Sequence, residues 1–322
     1  MTRSHDDDVQ PRIRTHYRLA WASLLWGGIA VAAVLWSTGL VLKPLPLLGF
    51  SSLVILFVAA HHLYGAVRPD ERLSTLTGTL AVMIAAALMA GIVANGGLRL
   101  RYDLLDDLLA RIDLAAGIDT PALVVWAARH ERLTALLGHA YESSFPLCFL
   151  TVLWLSLRGD SLRAWQLVLG FAGSIQIAAI VSVFAPALGN IVHAGQGGLG
   201  GFGLPPGSGV YHMQAIAAYR EGTNPTLDLS NLQGVVTFPS FHMVMALIVA
   251  HAWRGRGRFG LAMQGWCVLM VVSTVPIGGH YVIDLAAGTL LWMAIMGLAR
   301  LPLGGRDRAE AGRLADTASA PC

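Results

Sequence analysis

Charged side chains are scarce in this chain. Asp, Glu, Lys and Arg make up 13% of its 322 residues, whereas hydrophobic residues reach 55% and the mean hydropathy is +0.60. Soluble domains carry about twice that charged fraction. Because so little polar surface cannot cover a protein of this size in water, the composition predicts an integral membrane protein.

Cysteine is also rare, and its positions argue against a disulfide framework. Cys148 and Cys267 lie in apolar runs and Cys322 is terminal, so no disulfide is expected. No Cys or His spacing is typical of a zinc site, and the basic residues do not alternate with aromatic residues as they do on nucleic-acid-binding surfaces. We therefore expect no metal, no other cofactor and no nucleic-acid partner. The pattern leaves the oligomeric state open.

Long apolar runs occupy most of the chain. A transmembrane helix needs roughly 20 mostly apolar residues, and enough runs meet or approach that length to predict an all-α polytopic membrane protein with about eight transmembrane helices. These runs lie at 19–40, 45–66, 75–96, 139–157, 162–187, 239–254, 259–278 and 281–300.

Arginine is distributed unevenly over the connections between these runs. One side carries the arginines of both tails and those at 68–72, 158–163 and 254–258, whereas the short loops on the other side carry only Lys43 and Arg220. The longer outer segment balances its arginines with aspartates. By the positive-inside rule, both termini are predicted to be cytoplasmic, in a cell membrane.

Two stretches outside the spans have patterns of their own. At 100–116, large apolar residues recur at helical spacing among aspartates and arginines. This predicts an amphipathic helix that lies on the outer membrane surface or packs between spans. The segment 188–238 is rich in glycine near its start but lacks a nucleotide-binding glycine pattern. A mobile cover over an outward-facing site and a plain connector both fit it.

Two histidine motifs begin apolar helices. Pro239-Ser240-Phe241-His242 has the residue types favoured at a helix start, where unpaired N–H groups attract anions. His280 and Asp284 stand at i and i+4, so they share a helix face, and a carboxylate on one imidazole nitrogen makes the other a better nucleophile or base. With these spans, His242 and His280 reach the same outer face on adjacent helices. A capped helix with an incidental histidine and a structural ion pair are the alternative interpretations.

Together, the PSFH motif and the S-x6-H-x3-D pattern formed by Ser273, His280 and Asp284 resemble the second and third signature motifs of the type 2 phosphatidic acid phosphatase (PAP2) superfamily. The flanking TFPSFH and GGHYVIDLAAG are most similar to the branch that contains inositol phosphorylceramide synthases and many bacterial relatives. More diffuse similarity in DLLDDLLARIDLAAGID, HAYESSFP and VFAPALGN extends back to about residue 100.

This resemblance implies a domain organisation and a mechanism. The chain divides into a cytoplasmic tail (1–18), N-terminal transmembrane hairpins (19–96), a PAP2-like catalytic membrane domain (97–300) and a second cytoplasmic tail (301–322). His280 would be the nucleophile that forms a phospho-histidine, Asp284 would orient it, and His242 would protonate the leaving oxygen. The groups implied to hold phosphate oxygens are Ser240, Ser273 and the backbone N–H groups of Gly278 and Gly279.

The sequence departs from the family pattern where phosphate charge is usually met. Thr274 stands where the third motif usually has arginine, and the first motif, with its lysine and arginine, is not recognisable. We interpret this loss as a marker of the branch. Arg220, His212 and Arg101 are the remaining candidates for balancing the charge.

Three functions fit these features. A lipid or isoprenoid phosphate could be hydrolysed, or a phosphodiester lipid could pass its headgroup to an alcohol; both reactions would use the same three residues. The third possibility is a non-catalytic membrane transporter or structural protein. The spans at 75–96 and 259–278 hold no ionisable residue and no internal repeat is present, which favours an enzyme over a transporter.

Overall fold

The structure, a computed structural model, describes residues 5–199, 203–222 and 224–300. The predicted tail at 301–322 and the first four residues of the predicted tail at 1–18 lie outside the described residues. The described part is almost entirely helical, with one small pair of strands. The all-α prediction is confirmed at this level.

Three helices form the N-terminal part: α1 (His5–Thr38), α2 (Pro44–His62) and α3 (Glu71–Gly97). The polar residues after His5 are helical and continue into the first apolar run. Proline at its first position starts α2, and the Asp70 side chain caps α3 by accepting a hydrogen bond from Leu73 N at 3.0 Å. No residue of α2 is buried, whereas α3 is buried along much of its length.

Five helices form the middle of the chain: α4 (Asp106–Ala115), α5 (Thr120–Ala128), α6 (Glu131–Glu142), α7 (Ser144–Leu157) and α8 (Ser161–Phe184). The run predicted as one span at 139–157 contains the end of α6 and all of α7, and these two helices are bent by 50°. Pro146 lacks the N–H that would donate to Glu142 in a continuous helix. The bend therefore follows from the local sequence.

The last third of the chain contains α9 (Asn190–His193), α10 (Met213–Ala215), α11 (Phe241–Ala252), α12 (Gly257–Ser273) and α13 (Val282–Leu298). The segment predicted as a loop, 188–238, holds α9, α10 and short 3-10 and π turns. It also supplies β2 (Thr226–Leu227), which pairs in parallel with β1 (Val41–Leu42).

The predicted count of eight spans is not confirmed. Among the described residues, four helices are long and apolar enough to cross a membrane, or five if the bent pair α6 and α7 is one span. The shorter apolar helices α11 and α13 correspond to the predicted spans at 239–254 and 281–300. At 12 and 17 residues they are shorter than the roughly 20 residues that a span needs.

Helix ends gather at two ends of the bundle. The histidine end is formed by the ends of α3 and α8 and the starts of α11 and α13, with the loops that join them. The arginine end is formed by the starts of α3 and α8 and the end of α11. At the histidine end, the Thr237 hydroxyl donates to Ala187 O at 2.9 Å. At the arginine end, the Arg163 side chain donates to Ala252 O at 3.2 Å.

Helix α8 is the centre of the packing and contacts α1, α3, α7, α11 and α13. Glycine lets neighbouring helices approach it closely. A Cβ at Gly170 would lie 2.7 Å from Ile248 of α11, and one at Gly173 would lie 3.2 Å from Ile295 of α13. Since α11 and α13 carry the two histidine motifs, this packing sets the distance between them.

Helix α4 is the core of the predicted amphipathic segment, but it begins at Asp106 rather than at 100. Its polar and apolar faces have an unexpected placement. Leu108 and Ile112 are 44% and 39% exposed, whereas Asp106 and Asp113 are 3% and 2% exposed. The helix thus turns two aspartates toward the protein and an apolar strip away from it. It packs on the bundle, and its position on the outer membrane surface stays a prediction.

Candidate active site

The start of α11 is held against the start of α13. Ser240 caps α11 by accepting a hydrogen bond from Met243 N at 3.3 Å, and its own N–H donates to Asp284 O at 3.0 Å. Gly288 permits this close approach, because a Cβ there would lie 2.4 Å from Ser240 O. The glycine that ends the GGHYVIDLAAG segment therefore has a packing role between the two motifs.

His280 and Asp284 form a buried pair. The Nδ1 atom of His280 lies 3.3 Å from Oδ2 of Asp284, and the same carboxylate oxygen accepts the N–H of Tyr281 at 2.9 Å. His280 is 2% exposed and Asp284 is fully buried. A carboxylate at Nδ1 stabilises the tautomer that has its lone pair on Nε2. That second nitrogen lies 3.4 Å from Ser240 Oγ, so Ser240, predicted as a phosphate contact, is adjacent to it.

The side chain of His242, on α11, lies close to that of His280. Its ring centroid lies 5.9 Å from that of His280, and the rings are steeply tilted at 61°. On its other side, the ring stacks on Tyr141 at 4.1 Å, and the Tyr141 hydroxyl is 2.9 Å from that of Tyr211. The structure thus brings together His242, His280, Asp284 and Ser240, as the motif spacing and the predicted topology led us to expect.

A short loop after α8 holds the backbone at His280. Asn190 donates from its main-chain N–H to Gly279 O at 2.7 Å and from its side chain to His280 O at 2.5 Å. Gly189 precedes it with φ of +92°, and a Cβ there would lie 2.5 Å from Gly279 O, so this contact requires glycine. The segment VFAPALGN, which ends in these two residues, therefore fixes the position of the histidine.

Asp106 of α4 anchors that loop. Its carboxylate accepts the N–H groups of Leu188 and Gly189 at 2.9 and 2.8 Å and the hydroxyl of Tyr281 at 3.0 Å. One buried side chain therefore bonds to both chain segments that flank His280. A buried carboxylate is costly unless it is hydrogen-bonded, and three donors meet this requirement.

Asp113 lies seven residues after Asp106, on the same face of α4, and binds the start of α13. It accepts the N–H groups of Val282 and Ile283 at 2.7 and 2.9 Å and the hydroxyl of Thr120 at 2.6 Å. These N–H groups have no intrahelical partner at a helix start, and a negative charge is favourable there. Sequence reasoning did not identify Asp106 and Asp113 as site residues. Their i, i+7 spacing on a predicted helix was the available signal.

Several predicted phosphate contacts are engaged elsewhere. The Ser273 hydroxyl donates to Met270 O at 2.7 Å. The N–H groups of Gly278 and Gly279 donate to Ser273 O and Val275 O at 3.4 and 3.2 Å. The turn between α12 and α13 is closed by these hydrogen bonds, and the role of these groups as phosphate contacts stays a prediction.

The candidates for balancing phosphate charge form no hydrogen bond with the two site histidines in the described part of the chain. The Arg101 side chain donates to the backbone carbonyl oxygen of Arg220 at 2.7 Å. This bond joins the π turn that contains Arg220 to the chain that follows α3. Within the described residues, no hydrogen bond joins Arg220 to His242, His280 or Asp284. His212 lies 2.9 Å from Leu188 O through Nε2, and burial lowers its pKa. A neutral His212 that donates to this carbonyl adds no positive charge.

These features define a class of protein: an all-α bundle whose apolar helices suit a membrane, with a buried His–Asp pair facing a second histidine at one end. The model of the PAP2 superfamily matches residues 107–298, from the first turn of α4 to the end of α13. The chain belongs to the PAP2 superfamily, whose members are generally phosphoric ester hydrolases or phosphotransferases.

The superfamily resemblance is thereby confirmed, whereas the match does not distinguish between branches. No curated protein and no solved structure matches the chain. Helices α1 to α3 precede the matched region.

Proposed function

We propose that this protein is a membrane lipid phosphatase or phosphotransferase that acts on a phosphorylated lipid or isoprenoid through a phospho-histidine on His280. The observation that carries the proposal is the approach of the His242 and His280 rings to 5.9 Å while Asp284 occupies the Nδ1 side of His280. This arrangement supplies a nucleophile with an orienting group and a separate acid, which covalent catalysis of phosphate transfer requires.

In the first step, the Nε2 lone pair of His280 attacks phosphorus and the bond from phosphorus to the leaving oxygen breaks. A protonated His242 gives its proton to that oxygen. Forming the N–P bond leaves a positive imidazolium, which the Asp284 carboxylate stabilises across 3.3 Å. Ser240 lies next to Nε2 and is placed to donate its hydroxyl proton to a phosphate oxygen.

In the second step, an acceptor oxygen attacks the phospho-histidine. The now neutral His242 takes the acceptor's proton, the N–P bond breaks, and both histidines return to their starting states. Water as acceptor gives hydrolysis, and an alcohol gives headgroup transfer. The similarity of the motif text to inositol phosphorylceramide synthases favours transfer. No metal or other cofactor takes part in this scheme.

The direct test is an assay of purified protein with a radioactive phosphate ester. We expect an acid-labile phospho-histidine after rapid quenching, and none from the His280→Ala variant. Release of inorganic phosphate identifies a phosphatase, and headgroup exchange with an added alcohol identifies a transferase. Absence of both activities and of label would instead support a non-catalytic transporter or structural protein.

We also propose that the histidine end faces the extracytoplasmic side, with both termini in the cytoplasm. The distribution of arginine supports this orientation. Cysteines introduced one at a time at position 210 (Val210→Cys) and at position 258 (Arg258→Cys), in a Cys322→Ser background whose remaining Cys148 and Cys267 are buried, test it with a membrane-impermeant thiol reagent on intact cells. We expect labelling at 210 alone, and labelling at 258 only after permeabilisation. The reverse pattern would refute the orientation.

A further inference from the structure

A cavity of about 250 Å³ that opens to the surface of the bundle reaches His242. Its walls come from α3, α8, the start of α11 and the chain at 232–236. Of the described residues that line it, only Tyr211, Gln233 and His242 have polar side chains, and none is Lys, Arg, Asp or Glu. An uncharged, apolar ligand group is therefore the kind of occupant that this lining suits.

The shape of the cavity follows from small residues on one face of α3. Ala87, Ala90, Gly91 and Ala94 recur at i, i+3, i+4 and i+7 and all line it. Seven residues of helix span roughly 10 Å, so the cavity extends along the helix axis. Ala94 lies near the histidine end, three residues before α3 ends at Gly97, whereas Ala87 lies seven residues farther from that end along the helix.

The wall opposite the small residues is fixed in place. The Asn95 side chain donates to Gly91 O and to Gln233 O, each at 2.9 Å. Ile175 and Ala178 of α8 complete the deeper part of the lining. These bonds tie the chain at 232–236 to α3, so the space between them is a built feature of the fold.

We propose that this cavity holds the apolar chain of the substrate and that α3 sets the chain length accepted. This inference rests on the proposed function, because the cavity meets His242 and the phosphate would lie between His242 and His280. It extends that function by assigning specificity to α3, a helix outside the region that matches the superfamily. The residues that limit the length of the alkyl chain are Ala94, near the His242 end of the cavity, and Ala87, farther along the cavity.

The test compares Ala94→Leu and Ala87→Leu with wild type on butyl, octyl and hexadecyl phosphate, and on p-nitrophenyl phosphate as a substrate without an alkyl chain. Burial of methylene groups favours binding of the chain, so loss of several such contacts lowers kcat/KM by about 10-fold or more. We expect Ala87→Leu to lose this amount on hexadecyl phosphate alone. We expect Ala94→Leu to lose it on octyl phosphate as well.

Unchanged hydrolysis of p-nitrophenyl phosphate shows that both variants fold. Ala33→Leu, which makes the same replacement at an exposed position of α1, is the matched control and should leave every substrate unaffected. Equal effects of Ala87→Leu and Ala94→Leu on all chain lengths, or no effect on any, would overturn the chain-site proposal. His280→Ala separates this outcome from a failure of the proposed function, since turnover of p-nitrophenyl phosphate by His280→Ala would refute the phospho-histidine itself.

Discussion

The two ends of the bundle differ in how their carboxylates are partnered. At the arginine end, Asp160 pairs with Arg256 and lies 3.8 Å from Arg163, and the Arg256 guanidinium stacks over Trp154 at 4.5 Å. At the histidine end, Asp106, Asp113 and Asp284 accept hydrogen bonds from backbone N–H groups, hydroxyls and one imidazole. No lysine or arginine pairs with these three carboxylates in the described part of the chain.

Under the proposed mechanism, this difference gives the two ends separate roles. The Arg256 guanidinium balances the charge of Asp160. Asp160 therefore links helices and leaves little uncompensated negative charge. At the histidine end, the charges of the carboxylates are hydrogen-bonded but not cancelled by a cation. Asp284 is therefore able to stabilise a positive charge that develops on His280, which formation of a phospho-histidine requires. The comparison predicts that substitutions at the histidine end affect turnover and that those at the arginine end affect stability.

The largest effect is expected for His280→Ala. Without the nucleophile, turnover and the phospho-histidine label should both disappear, whatever the acceptor. The measurement is the rate of phosphate release or headgroup exchange by purified protein. His251→Ala, a histidine substitution at the arginine end, is the control and should retain wild-type turnover. Near-normal activity of His280→Ala would remove the basis of the comparison.

Next in size are His242→Ala and Asp284→Asn, each expected to lower kcat by on the order of 10²–10⁴-fold. His242→Ala removes the acid, so the loss should be smaller for esters with acidic leaving groups such as p-nitrophenol. Asp284→Asn removes the charge that stabilises the imidazolium, so its loss should not depend on the leaving group. Equal dependence on the leaving group in both variants would contradict these separate roles.

A smaller loss is expected for Asp113→Asn. A hydrogen bond to a charged group contributes about 1.5–3 kcal/mol, so weakening the hold on the start of α13 should lower kcat on the order of 10-fold. The Asp113→Glu variant should recover part of it. Asp107→Asn on the same helix is the control, because the Asp107 side chain is 86% exposed. If Asp113→Asn changed only the thermal midpoint, Asp113 would have a structural role alone.

The smallest effect on turnover is expected for Arg256→Gln at the arginine end. The partly exposed pair with Asp160 contributes about 0.2–1 kcal/mol to stability. The thermal midpoint in detergent should therefore fall slightly while kcat stays at the wild-type value. High salt should reduce the difference between the two proteins, since it screens the pair. A fall in kcat comparable to that of Asp113→Asn would show that the two ends are not separate in function.

Much of the candidate site could be predicted because its members are local or are related by helix order. His280 and Asp284 are four residues apart, and Ser240 and His242 belong to one preceding motif. Because successive helices run in opposite directions, both motifs are then placed at one end of the bundle. The count of spans was less predictable, because a hydropathy run does not show that α6 and α7 bend at Ser143 or that α11 contains only 12 residues.

The roles of α4 and of the turn before His280 required the structure. Aspartates among leucines predict a helix with its charges in water, yet Asp106 and Asp113 are buried because backbone N–H groups from distant segments bond to them. Likewise, two glycines before a histidine suggest free N–H groups, yet Gly278 and Gly279 donate within their own turn.

The sequence by itself determined the membrane-like composition, the superfamily motifs and the His280–Asp284 pairing, since each depends on composition or on residues a few positions apart. Only the tertiary structure decided the 5.9 Å approach of His242 to His280, the burial of the α4 aspartates and the cavity along α3. Those features join positions up to 175 residues apart, as in the bond between Tyr281 and Asp106. Their geometry depends on how all the intervening helices pack, and no short stretch of sequence contains that information.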